Sequence, residues 1–191
     1  MALSTLRTGN NFNFTWMNAL NVEIKARCTN LDYVRDILTA ANARFVGMDH
    51  QVDTYYQVPN GRLKLRHGNI ENALIYYERS NTHGPKQSEV KLFRTSRGEE
   101  LNDLLEQALE TFVVVDKKRE IYFIDNIKFH LDQVKGLGEF VEIEAIDENG
   151  AISNEELLSQ CRYYMEQFNV IESNLVSESY SDLIASKLQR M

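Results

Sequence analysis

The chain has 191 residues, a hydrophobic fraction of 43% and a formal net charge of −7. That length suits one domain with a substantial core, and the negative balance argues against general nucleic-acid binding. Two cysteines, Cys28 and Cys161, exclude a disulfide framework, and no apolar run approaches a membrane span.

Residues 1–16 are polar and rich in Asn and Thr, without the apolar stretch of a signal peptide. Met17 reads as an original start, which makes 1–16 a disordered or non-native extension and 17–191 the domain. Free thiols, with no signal-like apolar stretch in 1–16 and no membrane-length run, make a cytoplasmic location the expectation.

The first strand is expected at 21–28, where Asn21, Glu23, Lys25 and Arg27 alternate with apolar residues and so share one face. Thr29-Asn30 read as a cap. Leu31, Val34, Ile37, Leu38 and Ala41 then recur at helical spacing. Residues 44–58 read as a long strand with Gln51, Asp53 and Tyr55 on one side, ended by the turn Pro59-Asn60-Gly61. Arg62, Lys64 and Arg66 alternate with Leu63 and Leu65. His67-Gly68-Asn69 turns the chain into a strand at 73–80, and a loop at 81–86 leads to a strand at 87–95 that groups Glu89, Lys91 and Phe93.

A helix is expected from Gly98 to Glu110, then a long strand at 112–124 with Lys117 and Arg119 on one face. Asp125-Asn126 turns into a strand at 127–134 carrying His130 and Asp132. Gly136-Leu137-Gly138 makes a tight turn before the strand at 139–146, where Glu142 and Glu144 share a face. A helix from Ser153 to about Phe168 and a short one at 179–188 finish the chain.

About eight strands joined mostly as hairpins imply an antiparallel sheet. Any single charged face reads most simply as solvated. Its recurrence on most strands, consistently opposite aliphatic or aromatic residues, lowers that reading; a sheet curled into a barrel would make one face the lumen, and the alternation leaves open which one. Carboxylates and cations on one surface suit a magnesium polyphosphate, since oxygens hold the metal and cations hold phosphates.

The segments Glu23-Ile24-Lys25, Arg62-Leu63-Lys64-Leu65-Arg66, Lys117-Lys118-Arg119-Glu120 and His130-Leu131-Asp132…Gly136-Leu137-Gly138…Glu142-Ile143-Glu144 resemble the CYTH superfamily of triphosphate tunnel metalloenzymes, over roughly 20–185. Gln51 to Tyr56, Leu74 to Arg79 and Tyr180 to Leu183 are similar to its class IV adenylyl cyclase-like subgroup. The resemblance implies an α+β protein: an eight-stranded antiparallel β-barrel forming a tunnel with a charged lumen, helices packed outside. It implies Glu23, Glu142 and Glu144 as metal ligands for Mg²⁺ or Mn²⁺. It implies Lys25, Arg27, Arg62, Lys64, Arg66, Arg79, Lys91, Lys117 and Arg119 as phosphate-binding cations, and Glu23, Lys25 and Asp132 as catalytic residues.

The activity implied first is conversion of ATP to cyclic AMP and pyrophosphate. The alternatives are hydrolysis of inorganic or organic triphosphate, such as thiamine triphosphate, and binding of a nucleotide or polyphosphate without turnover. The implied partner is a nucleoside or inorganic triphosphate, with no nucleic acid or membrane partner; a homodimer is a further family expectation. The family pattern Glu-x-Glu-x-Lys begins here with Asn21, which offers a metal a carbonyl oxygen without charge.

Overall fold

The computed structural model describes residues 20–78, 89–147 and 149–190. Eight antiparallel strands form one curled sheet: β1 (Leu20–Arg27), β2 (Arg44–Tyr56), β3 (Arg62–His67), β4 (Ala73–Glu78), β5 (Glu89–Arg94), β6 (Thr111–Ile124), β7 (Ile127–Val134) and β8 (Gly138–Asp147). Their order is β1-β8-β7-β6-β2-β3-β4-β5, so β1 and β5 are the edges of a half-barrel. Four helices accompany it: α1 (Leu31–Ala40), α2 (Gly98–Ala108), α3 (Asn154–Gln167) and α4 (Tyr180–Leu188). No helix among the described residues is long and apolar enough to cross a membrane. Arg79 and residues 1–16 lie outside the described residues.

The convex face is apolar over the middle of β1, β7 and β8, where alternate residues are aliphatic or aromatic. Val22, Ala26, Phe129, Leu131, Val141, Ile143 and Ala145 meet Leu31, Val34 and Leu38 of α1 and Leu157 and Cys161 of α3. Each Val, Leu, Ile or Phe side chain among them contributes about 1.5–3 kcal/mol when fully buried. The helices start where the sequence supplies caps. The side chain of Asn30 accepts from the Tyr33 amide at 3.0 Å, and Ser153 accepts from Glu156 at 3.2 Å. In the β2–β3 connection Gly61 has φ +62, and a Cβ there would stand 2.6 Å from the Tyr76 hydroxyl. The β7–β8 turn likewise uses Gly136 at φ 78 and Gly138 at φ 97.

Helix α4 takes a different place from α1 and α3. It enters the concave side, where Tyr180, Leu183 and Ile184 pack on Tyr55, Ile75, Tyr77, Val113, Val115 and Phe140. Ser179 and Asp182 form a capping box at its start. One end of the curl is therefore filled by apolar packing, and the polar part of the concave face lies beyond it.

Candidate active site

Strand parity brings the charged residues together. Register sets Glu23 opposite Glu144 and Lys25 opposite Glu142. It also sets Glu142 opposite His130, Asp132 opposite Arg119 and Asp53 opposite Arg66. All face the inside of the curl.

The first knot is centred on Asp53, 1% exposed. Its carboxylate accepts from Lys64 at 2.9 Å, from Arg66 at 2.8 and 2.9 Å and from Lys117 at 3.0 Å. Burial works to raise the pKa of Asp53, but the charges of Lys117, Lys64 and Arg66 hold it well below the usual carboxylate range. One carboxylate thus accepts from three cations, of which, among the described residues, only Arg66 has a second carboxylate partner, Glu71. The surplus falls on Lys117, 2% exposed, whose ammonium burial pushes down to about 7 against the pull of Asp53. Buried surplus positive charge is a standing demand for an anion.

The second knot joins β1, β6, β7 and β8. Arg119 donates to Asp132 at 2.7 Å through Nε, makes a second bond to it through Nη2, and reaches Glu142 at 2.7 Å. Glu142 also meets Lys25 at 3.3 Å and His130 Nδ1 at 3.0 Å. Burial raises its pKa, yet Arg119, Lys25 and the His130 bond hold it well below the carboxylate range. The Tyr180 hydroxyl donates to Asp132 at 2.8 Å, and its ring lies 4.3 Å from Lys25 Nζ, so α4 abuts this knot.

The third group lies at the opposite end from α4. Asn21 donates through Nδ2 to Glu144. Burial and the facing charge of Glu23 push the Glu144 carboxyl up to about 7, with Lys128 opposing. The Asn21 Oδ1 is buried and has no hydrogen-bond partner. Among the described residues no cluster of three or more His, Cys, Asp or Glu is poised to hold a metal ion. The donors here are instead two carboxylates and an orphaned amide oxygen. That is an all-oxygen set of the kind Mg²⁺ or Mn²⁺ accepts, and a cation would satisfy Asn21 and the crowded acids together. Glu142, by contrast, has its oxygens engaged by Lys25, Arg119 and His130.

Other expected positions sit further out. Arg27 is exposed at the rim, donating to the Leu137 carbonyl at 3.2 Å. Arg62 is tied to α4, 2.6 Å from Ser179 Oγ and 2.9 Å from Asp182. Lys91 is not with the group: it stands opposite Tyr76 on the other face of the sheet and is exposed. The inward residues of β5 are Val90 and Leu92, opposite Tyr77 and Ile75. The charged belt spans β1, β8, β7, β6, β2 and β3 and stops at β4, whose inward residues Ala73, Ile75 and Tyr77 are buried and belong to the apolar half.

Sequence reading passed over Lys128, Glu71 and Asp49. Glu71 bonds Arg66 at 2.7 Å and Lys128 at 3.3 Å; burial raises its pKa, but these cations bring it down to about 2. Asp49, fully buried, accepts from the amides of Ile70 at 2.9 Å and Glu71 at 3.1 Å, which fixes the loop that presents Glu71.

A family model for the CYTH domain matches residues 19–174. Among solved structures, the PH1012 protein of Pyrococcus horikoshii OT3 superposes with a TM-score of 0.75 at 24% identity, over 86% of this chain and 99% of that one. A candidate adenylate cyclase of Vibrio parahaemolyticus gives 0.72 at 18% identity, over 87% and 98%. A Hippeastrum candidate adenylyl cyclase, described as revealing a dominant triphosphatase activity, gives 0.68 at 12% identity, over 88% and 96%. No curated protein matches the sequence.

Proposed function

The chain belongs to the CYTH domain family, and from that premise we propose that it binds a linear triphosphate as its magnesium or manganese complex inside the curl and hydrolyses the terminal phosphoryl group. The observation that carries this reading is the Asp53 knot, three cations around one buried carboxylate. A polyphosphate supplies the missing negative charge in a linear form that follows the belt from Lys64, Arg66 and Lys117 to Arg119 and Lys25. Arg66 and Arg119 grip phosphate oxygens as planar forks, while Lys64, Lys117 and Lys25 act as point charges. Arg27 sits at the rim as an outer contact.

Asn21, Glu23 and Glu144 would hold the divalent cation, which would supply positive charge against the negative charge that develops on the leaving group. Asp132 holds the Arg119 fork in plane, with the Tyr180 hydroxyl on its other side. Water attacks in line; the new O–P bond forms as the bridging P–O bond breaks, and the diphosphate leaves with the electron pair.

Cyclisation of ATP is a second reading. It is favoured by a cavity of about 370 Å³ lined by Tyr55, Tyr56, Phe112 and Arg62 at the α4 end of the belt, large enough for a nucleobase. The Hippeastrum neighbour, with its dominant triphosphatase activity, inclines the choice to hydrolysis. The test is product analysis after incubation with inorganic triphosphate, ATP or thiamine triphosphate and Mg²⁺ or Mn²⁺. Orthophosphate is the expected product. Cyclic AMP with pyrophosphate would replace this reading with the cyclase, and tight binding without product would replace it with a sensor.

A further inference from the structure

Three buried side-chain atoms among the described residues lack a hydrogen-bond partner: Asn21 Oδ1, Gln51 Oε1 and His130 Nε2. All three lie on the concave face, and in each the partner of the other polar atom fixes the orientation. Asn21 and Gln51 spend their amide hydrogens on the carboxylates of Glu144 and Asp49, leaving carbonyl lone pairs bare. His130 turns Nδ1 to Glu142, 3.0 Å away. An ionised carboxylate only accepts, so Nδ1 carries the ring proton and Nε2 presents a lone pair. The ring is buried beside the Arg119 guanidinium, a setting that disfavours a second positive charge on it. The charged groups facing it are Arg119, Lys128, Glu71 and Glu142. A bare acceptor held at 4% exposure in a face otherwise built of ion pairs is anomalous, because buried polar atoms are ordinarily satisfied.

Resting on the hydrolysis reading above, we propose that His130 contacts the nucleophile, its Nε2 accepting a hydrogen bond from the attacking water. Glu142 then acts as a positioning residue, since its carboxylate fixes the ring and the tautomer, the role carboxylates play behind imidazoles elsewhere. One hydrogen of the water is bonded to Nε2. The other passes to an oxygen of the transferred phosphoryl group as the O–P bond forms and the diphosphate departs with the electrons of the broken bridge. His130 gains and loses no proton in this step; it sets the direction of the oxygen lone pair.

Two substitutions separate this role from a structural one. His130→Asn keeps a donor near the Nδ1 position for Glu142 and removes the distal acceptor. His130→Gln keeps an acceptor near the Nε2 position and loosens the link to Glu142. With inorganic triphosphate and Mg²⁺, His130→Asn is expected to lower kcat about 100-fold with KM unchanged, the scale of misplacing a reacting group by about 1 Å. His130→Gln is expected to retain most of kcat. Wild-type kcat in His130→Asn, or the reverse order of the two variants, overturns the proposal. Nitrogen-15 spectra of the intact wild-type imidazole give a check that needs no variant to fold: an unprotonated ε nitrogen is expected, and a protonated one overturns the proposal. A wild-type protein that hydrolyses no triphosphate removes the hydrolysis reading itself. An active wild type with a fully active His130→Asn removes only the role of His130.

Discussion

At the scale of single residues, Asp53 is the place where binding and stability meet. Breaking a buried ion pair by deleting one partner costs about 3–5 kcal/mol, because the other charge is left uncompensated. Here Lys64, Arg66 and Lys117 would all lose the same carboxylate. Asp53→Asn is therefore expected to lower stability by about that amount in a denaturant titration. Added inorganic triphosphate should recover more Tm in the variant than in the wild type, since the anion takes the place of the carboxylate. A variant rescued no better than the wild type would show that phosphate does not reach these cations.

Two further residues predict linkage to protons, with opposite signs. The Glu144 carboxyl is pushed up to about 7 by burial and by Glu23, so between its ordinary value and about 7 the folded state holds a proton the unfolded state has released. Its contribution to stability falls as pH rises through that window. A cation bound there expels the proton, so Mg²⁺ affinity should climb with pH up to about 7. Lys117 behaves inversely: with its ammonium pushed down to about 7, the unfolded state holds the extra proton at higher pH, and stability rises with pH from there toward the ordinary lysine value. Triphosphate binding restores the charge on Lys117 and takes up a proton above about 7. Calorimetry in buffers of different ionisation enthalpy reads both signs directly: release on adding Mg²⁺, uptake on adding triphosphate.

At the scale of elements, α4 decides where the charged belt ends. Tyr180 gives a hydroxyl to Asp132 and a ring face to Lys25, while Asp182 holds Arg62. A hydrogen bond to a charged group contributes about 1.5–3 kcal/mol, so Tyr180→Phe should lower stability within that range while keeping the apolar packing on Phe140. Because Asp132 orients Arg119, the same variant should bind triphosphate more weakly; unchanged stability and binding together would mean the helix merely leans on the sheet.

The elements also explain what the sequence made legible. Period-two alternation is local and strong, so the shared faces of Glu23 with Lys25, Arg62 with Lys64 and Arg66, Lys117 with Arg119, and Glu142 with Glu144 could be read before any coordinates. Lys128 was readable in the same way, two residues before His130 and four before Asp132, but was passed over. Glu71 was not readable, because it sits in a loop without period and is aimed by Asp49, a tertiary contact. Lys91 went astray for a different reason. Alternation tells which residues share a face, not which face turns inward. The rule that charge faces in fails at β4, where α4 packs on Ile75 and Tyr77, and at β5, where Val90 and Leu92 share their face. Nor does alternation reveal that α4 lies inside the curl, since a short amphipathic helix fits either side of a sheet.

At the scale of the whole molecule, a chain of net charge −7 keeps a cation-rich cluster on an inner surface. On the proposed reading, exposed acids would repel stray polyanions, while the Asp53 knot would hold one that has entered and shed its water. The cations around Asp53 and the donors around Glu144 sit toward opposite ends of one belt. A metal-bridged triphosphate long enough to touch both makes each group improve the affinity of the other, and such coupling is reciprocal. Inorganic triphosphate alone should raise Tm modestly, and Mg²⁺ alone should raise it less. The two together should exceed the sum, approaching about 2.7 kcal/mol of added stability at a hundredfold excess over Kd. Lys64→Ala should weaken triphosphate more than orthophosphate, because only the longer anion spans the belt. Additive thermal shifts, or equal losses for the two anions, would mean that the ends act as separate sites and that no single ligand joins them.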